Sequence, residues 1–267
     1  MGDKAKIYLG TSGFSFSDWI GTVYPEGIKK SEMFDYYVRN WKFNALEVNF
    51  TYYTFPSQRT INSLLKRSPE GFCFVFKAPQ EITHKLWKED NIEVLKTISK
   101  DFLNVLKPVK EFRTLGGILL QFPYSFKKTQ DNFEYLKNLS IAFESEVELF
   151  IEFRNRVWAN RETIDFLKEN ELSYVTVDEP KIDGLFPYVP GFTTQSAYFR
   201  FHGRNNNWFE AKGSERYDYF YSDDELKRFA DDIKKILNKV KKVFVFFNNC
   251  HNGSAVKNAL SFSGFLT

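Results

Sequence analysis

The sequence predicts one (β/α)₈ barrel, an α/β fold, and three observations predict it. Eight short apolar runs recur along the 267 residues, and amphipathic segments with apolar residues at i, i+3, i+4 spacing separate them. No linker or shift of composition divides the chain, so residues 1–267 read as a single domain. Barrels of this kind routinely run to ~250 residues as one unit. The rival is an open doubly wound sheet. It is disfavoured because GTSG after the first run leads into an aromatic loop, without the glycine-rich turn of a dinucleotide site.

In chain order the strand candidates are 7–13, 45–50, 73–79, 116–123, 148–154, 173–179, 196–203 and 242–249. Each is rich in β-branched or aromatic residues and is bounded by polar residues, Gly or Pro. Helical periodicity fills 30–41, 57–68, 92–110, 129–143, 161–170, 222–240 and 253–262. Ser222 with Glu225 three residues on forms a capping box at the start of the sixth of these. Residues 180–195 are rich in Pro and Gly, which predicts an irregular loop in place of a full helix after strand six.

Composition narrows the function classes. Hydrophobic residues make up 43% and aromatics 18%, with 30 Phe, so most aromatics must pack. A net charge of +3 from 37 basic and 34 acidic residues does not by itself point to nucleic acid. Two cysteines, Cys73 and Cys250, make neither a disulfide framework nor a zinc cluster. No apolar leader and no run of ~20 apolar residues is present, so a cytoplasmic protein with no membrane partner is expected.

Strand alternation then assigns an inside. The outer face of a barrel packs on helices and is apolar, so polar residues of the other parity point inward. This turns Glu47, Asn49 and Thr51 inward on strand two, Lys77 on strand three and Gln121 on strand four. Glu152 and Arg154 turn inward on strand five, Thr176 and Asp178 on strand six, and Tyr198, Arg200 and His202 on strand seven. Strand one leaves Thr11 and Ser12 open, and strand eight leaves Asn248 and Asn249 open. Charges inside a barrel are costly unless paired or used. These cluster at strand C-terminal ends, where barrel enzymes keep their sites.

The stretch GTSGFSFSDWIGTVYPEG resembles the opening of the domain of unknown function 72 family, the YecE-like proteins. So do EVNFTYYTFPS, FVFKAPQEITH, GGILLQFPYSF, IEFRNRVW, YFRFHGRN, RYDYFYSDDEL and FNNCHNGSAVKNAL, all in order between about residues 7 and 262. The resemblance implies a TIM-type barrel and brings no activity with it.

The residues themselves suggest general acid–base chemistry on a small polar or anionic, sugar- or nucleotide-like substrate. Glu47 and Glu152, with Asp178 and His202, would be the catalytic groups. Lys77, Arg154 and Arg200 would hold an anion or a carbonyl oxygen. Thr11, Ser12, Asn49, Tyr53, His84, Gln121, Trp158, Asn248 and Asn249 complete the candidate substrate contacts. Two alternatives stand beside this. Glu152, Asp178 and His202 follow the order of metal ligands in xylose-isomerase-like barrels, but Asn248 and Asn249 replace the carboxylate expected on strand eight. No cofactor is expected, with a divalent metal as the lesser option. Alternatively the mouth binds nucleic acid or a phosphorylated ligand without catalysis, since HGRNNNWFEAKGSERYDYFY interleaves Arg204, Lys212 and Arg216 with aromatics. Against all of these, Glu–Arg and Glu–Lys pairs would simply close the mouth.

Overall fold

The apolar runs form the staves of a barrel in the computed structural model, which describes residues 5–89, 91–143, 147–211 and 213–266. The strands are β1 (Lys6–Thr11), β2 (Ala45–Val48), β3 (Cys73–Lys77), β4 (Leu115–Gln121), β5 (Leu149–Glu152), β6 (Ser173–Asp178), β7 (Ser196–Phe201) and β8 (Lys242–Phe247). They pair in parallel in the order β1-β8-β7-β6-β5-β4-β3-β2. Around them lie α1 (Met33–Asn40), α2 (Gln58–Arg67), α3 (Ile92–Glu111), α4 (Gln130–Ala142), α5 (Arg161–Glu169), α6 (Asp223–Lys234) and α7 (Ser254–Phe265). The predicted capping box forms: Ser222 and Glu225 bond each other's backbone N–H groups at the start of α6. That helix ends at Lys234, earlier than the periodicity suggests, and turns follow it. Between β6 and β7 the chain runs as an irregular loop, as its composition predicts. No helix among the described residues is long and apolar enough to cross a membrane.

Side chains largely zip the seam between β1 and β2. Asn44 accepts from Leu9 N–H and donates to Ile7 C=O, both at 2.8 Å. The Tyr37 hydroxyl, delivered by α1, accepts from Thr11 N–H at 2.9 Å and donates to Ala45 C=O at 2.8 Å. These bonds satisfy backbone groups that a regular ladder would otherwise pair. Above them Ser12 and Glu47 form an isolated bridge.

Aromatic rings fill the lower barrel. Tyr8 stacks on Phe244 at 5.0 Å, and Phe150 lies 4.5 Å from Tyr198 and 5.1 Å from Phe244, ring centre to ring centre. Such wide rings need a small neighbour. A Cβ at Gly116 would come within 2.9 Å of the Phe244 ring and 2.7 Å of Cys73 Sγ, so glycine there admits the plug. The plug leaves the polar residues only the upper end of the barrel.

Register corrects one strand of the inward set and resolves two others. In a parallel pair, residues in register face the same side. Val177 is in register with Arg200, and Asp178 with Phe201. Val175 and Val177 therefore face inward, whereas Thr176 and Asp178 face out. The reason lies in the loop after β6. This strand is backed by polar chain, with Thr176 Oγ1 accepting from Gly191 N–H and the Tyr174 hydroxyl bonding Val189 C=O. An apolar outer face was not required here, and the parity rule slips by one. On β1 and β8, Ser12 and Asn248 face the mouth. Thr11 turns to Tyr37, and Asn249 turns to Tyr219 and Asn258.

Candidate active site at the barrel mouth

Arg200 anchors the upper barrel. It donates twice to Glu47 (Nε to Oε2, 2.8 Å; Nη2 to Oε1, 2.6 Å) and once to Glu152 (Nη1 to Oε2, 2.7 Å). The Tyr198 hydroxyl gives Glu47 a further bond at 2.6 Å. All four side chains are buried. Beside them Lys77 Nζ donates to Gln121 Oε1 at 2.9 Å, and Arg200 Nη1 reaches the same oxygen at 3.4 Å. Lys77 also lies over the Tyr52 ring, 4.5 Å from its centre, and forms no ion pair among the described residues.

Above this floor opens a cavity of about 1060 Å³. Ser12, Glu47, Asn49, Lys77, Gln121, Arg200 and Asn248 line its base, and Phe14, Phe16, Phe50, Tyr52, Tyr53 and Tyr217 line its walls. Lys30, Arg59, Arg67 and Arg216 add positive charge, so six cationic side chains face one carboxylate, Glu47. Two polar atoms at the base, Ser12 Oγ and Asn49 Oδ1, are buried without a hydrogen-bond partner, a state that folded proteins seldom leave unexplained.

A second cluster sits to one side beneath Trp208. Arg154 bridges Glu152 (Nε to Oε1, 3.0 Å) and Glu179 (Nη1 to Oε2, 2.6 Å), with its guanidinium over the Trp208 ring. Asn248 donates to His202 Nδ1 at 2.8 Å, which leaves the ring proton on Nε2. That nitrogen is 3.2 Å from Glu152 Oε1, but off the line a good hydrogen bond needs, so both atoms remain unsatisfied.

The comparisons agree with the barrel fold. Residues 8–267 match the family model described as "Protein of unknown function DUF72". The chain belongs to the DUF72 family. A DUF72 family protein from Thermotoga maritima MSB8 superposes with a TM-score of 0.92 at 47% identity, covering 98% of this chain and 99% of that one. One from Enterococcus faecalis V583 gives 0.84 at 29% identity over 97% and 95%. The UPF0759 protein YunF of Bacillus subtilis (strain 168) is 28% identical over 264 residues, 94% of this chain and 92% of that protein.

In this DUF72 barrel the electrostatics divide the candidates. Burial alone would raise the Glu152 carboxyl, but Arg200 and then Arg154 outweigh it and hold its pKa well below the ordinary value. Glu152 is thus a fixed anion, poorly suited to taking up a proton near neutrality. Burial, aided by Arg154, pushes His202 down to about 3, so it stays neutral. Burial and then the nearby Lys77 push His84 down to about 4. Two groups are brought near neutrality: burial raises Glu179 to about 7 against the pull of Arg154, and in the cavity itself burial, reinforced by Arg200, lowers the Lys77 amine to about 7. The Tyr52 ring favours the charged form by only about 1 kcal/mol, too little to offset those effects.

The structure gathers Glu47, Asn49, Lys77, Gln121, Arg200, Ser12, Asn248 and Tyr53 around one cavity of the DUF72 barrel. Glu152, Arg154 and His202 lie beside and beneath it. Five other candidates are elsewhere. Asp178 is held on the outer face by Arg204 (2.6 and 2.9 Å) and the Tyr221 hydroxyl (2.7 Å). Trp158 is fully buried, stacked between Phe126 and Phe153 with its indole N–H on Phe126 C=O, and is core. Thr11 and Asn249 serve the outer layer, as above. His84 sits behind Tyr52, bonded to Thr83, and does not line the cavity. Lys212 lies outside the described residues. With Asp178 turned away, the metal-like trio with Glu152 and His202 does not converge. No group of three or more His, Cys, Asp or Glu among the described residues is placed to hold a metal.

Sequence reasoning missed Glu179 and, Arg216 apart, the basic wall. Glu179 follows Asp178, so the one-residue slip on β6 hid it. Arg59, Ser63 and Arg67 were legible, because they recur at i, i+4, i+8 on one face of α2.

Proposed function

We propose that this DUF72 barrel is an enzyme that performs acid–base chemistry on a small anionic, sugar- or nucleotide-sized substrate at its mouth. The observation that carries the reading is an amine, Lys77, set without a carboxylate partner at the base of a cavity whose lining is cationic and aromatic. Arg59, Arg67 and Arg216 would hold the anionic group, and Phe14, Phe16 and Tyr53 would cover its apolar faces. Lys77 would exchange the proton, while Arg200 and Glu47 hold the floor in one geometry. This moves the acid–base role from the two glutamates to the lysine, because Arg200 claims both carboxylates.

Thermal-shift titration with sugar phosphates, nucleotides and matched neutral sugars tests the reading. Ligand at a hundred times its Kd stabilises by ~2.7 kcal/mol. The anionic members should raise Tm and the neutral ones should not. Lys77→Met should keep binding and lose turnover of the substrate so found. Equal shifts from neutral and anionic sugars would sink it.

A second reading has one observation of its own. The basic wall continues along α2 through Arg59, Lys66 and Arg67, a track suited to successive phosphates of a single strand. Salt-dependent binding of a short oligonucleotide, lost in Arg59→Ala/Lys66→Ala, would favour it over the small substrate.

A further inference from the structure

We propose that Lys77 forms an imine with its substrate, and that the substrate is a carbonyl compound carrying an anionic group such as a phosphate. The inference rests on the acid–base reading of the same cavity and specifies its chemistry. Three features support it.

First, the Lys77 amine has one hydrogen bond, to Gln121, and no carboxylate to hold its proton. The two nearby carboxylates, Glu47 and Glu152, are both committed to Arg200. At pH 7 about half of an amine with a pKa of about 7 is neutral, against on the order of one in a few thousand for an ordinary lysine. A neutral amine is a nucleophile as well as a base, and desolvation beside another cation is a recognised way to activate it.

Second, the base of the cavity offers polar groups with nothing to bind. Ser12 Oγ and Asn49 Oδ1 are buried and unpartnered. A carbonyl oxygen becoming the hydroxyl of a carbinolamine would give each of them a partner. Third, the wall above is cationic, through Arg59, Arg67 and Arg216, so an anionic tail would orient the carbonyl towards the base.

The step balances without an oxidant or a cofactor. The nitrogen lone pair of Lys77 attacks the carbonyl carbon and forms the C–N bond. The carbonyl oxygen takes up a proton to give the carbinolamine, then a second, and leaves as water. Of those two protons the attacking nitrogen gives one and the surrounding water the other. As the C–O bond breaks, the nitrogen lone pair forms the C=N bond, and the product is a protonated imine that keeps one N–H.

Pyridoxal 5′-phosphate combines an aldehyde, a ring and a phosphate, and serves as the probe. The whole protein is mixed with one equivalent at pH 7, reduced with borohydride and mapped by peptide mass spectrometry. The expected result is a reduced adduct at Lys77, favoured at least about tenfold over any other single lysine. It should be absent in Lys77→Arg and suppressed by excess inorganic phosphate. The yield at Lys77 should rise with pH about a midpoint near 7. If the probe raises Tm but Lys77 stays unlabelled, the imine is refuted while the anion site and its acid–base reading survive. If the probe neither binds nor labels, while other anions bind, only the carbonyl chemistry fails. If no anion binds, both fail.

Discussion

Arg200 grips Glu47 across the barrel through two bonds of 2.8 and 2.6 Å, with both side chains sealed from solvent. The same guanidinium holds Glu152, so one cation compensates two buried anions from opposite sides of the fold. Removing it strands Glu47 and leaves Glu152 to Arg154. Arg200→Met should cost about 3–5 kcal/mol, the usual penalty for breaking a buried pair, and lower Tm by on the order of 10 °C. Adding Glu47→Gln and Glu152→Gln should restore much of that loss. A single-variant loss below about 1 kcal/mol would mean that water already solvates the pair. Arg200→Lys should also destabilise, since an ammonium cannot make the fork.

Tyr37 gives the seam its own test. Tyr37→Phe keeps the ring packing but strips a bond from Thr11 N–H and another from Ala45 C=O. Two buried backbone groups left unpaired predict a loss of about 2–4 kcal/mol in urea unfolding. Hydrogen exchange should quicken first at Thr11.

Lys77 predicts an alkaline signature. Its folded pKa of about 7 lies below the ordinary 10.5, so the unfolded chain binds more protons between those values. Its contribution to stability therefore rises as pH climbs from about 7 towards 10.5. Lys77→Met lacks this dependence. The Tm difference, wild type minus variant, should grow more positive across that window, and a flat difference would show the amine to be an ordinary lysine.

His202 predicts the acid limb. With a folded pKa of about 3 against 6.5, its contribution is complete above pH 6.5 and is lost as pH falls towards 3. Nitrogen chemical shifts should report a neutral ring with its proton on Nε2 at pH 5. Trp208→Ala, which opens the cluster to water, should raise the pKa. A ring already charged at pH 6 in the wild type would contradict the buried neutral form.

Glu47, Lys77, Gln121, Glu152, Arg154, Arg200 and His202 were legible as inward residues, because each sits on a strand whose other face packs apolar side chains on helices. Asp178 and Thr176 were not, because β6 is backed by a polar loop and both its faces are buried. Alternation finds two faces but cannot name the inner one when neither is plainly apolar. Trp158 illustrates a different limit: an aromatic in a loop after a strand has the same sequence signal whether it stacks on a ligand or on Phe126 and Phe153.

The sequence by itself determined the eight strands, the loop that replaces a helix after β6, the capping box of α6 and most of the polar ring. These follow from local periodicity and turn chemistry, which are written in consecutive residues. Tertiary structure alone decided which charges meet. Glu47 and Arg200 are 153 residues apart, and only closure of the barrel brings them to 2.6 Å. That closure commits both glutamates to Arg200 and leaves Lys77 without a carboxylate. Proton affinity depends on burial and neighbouring charge, and neither is a property of the residue's own stretch of chain.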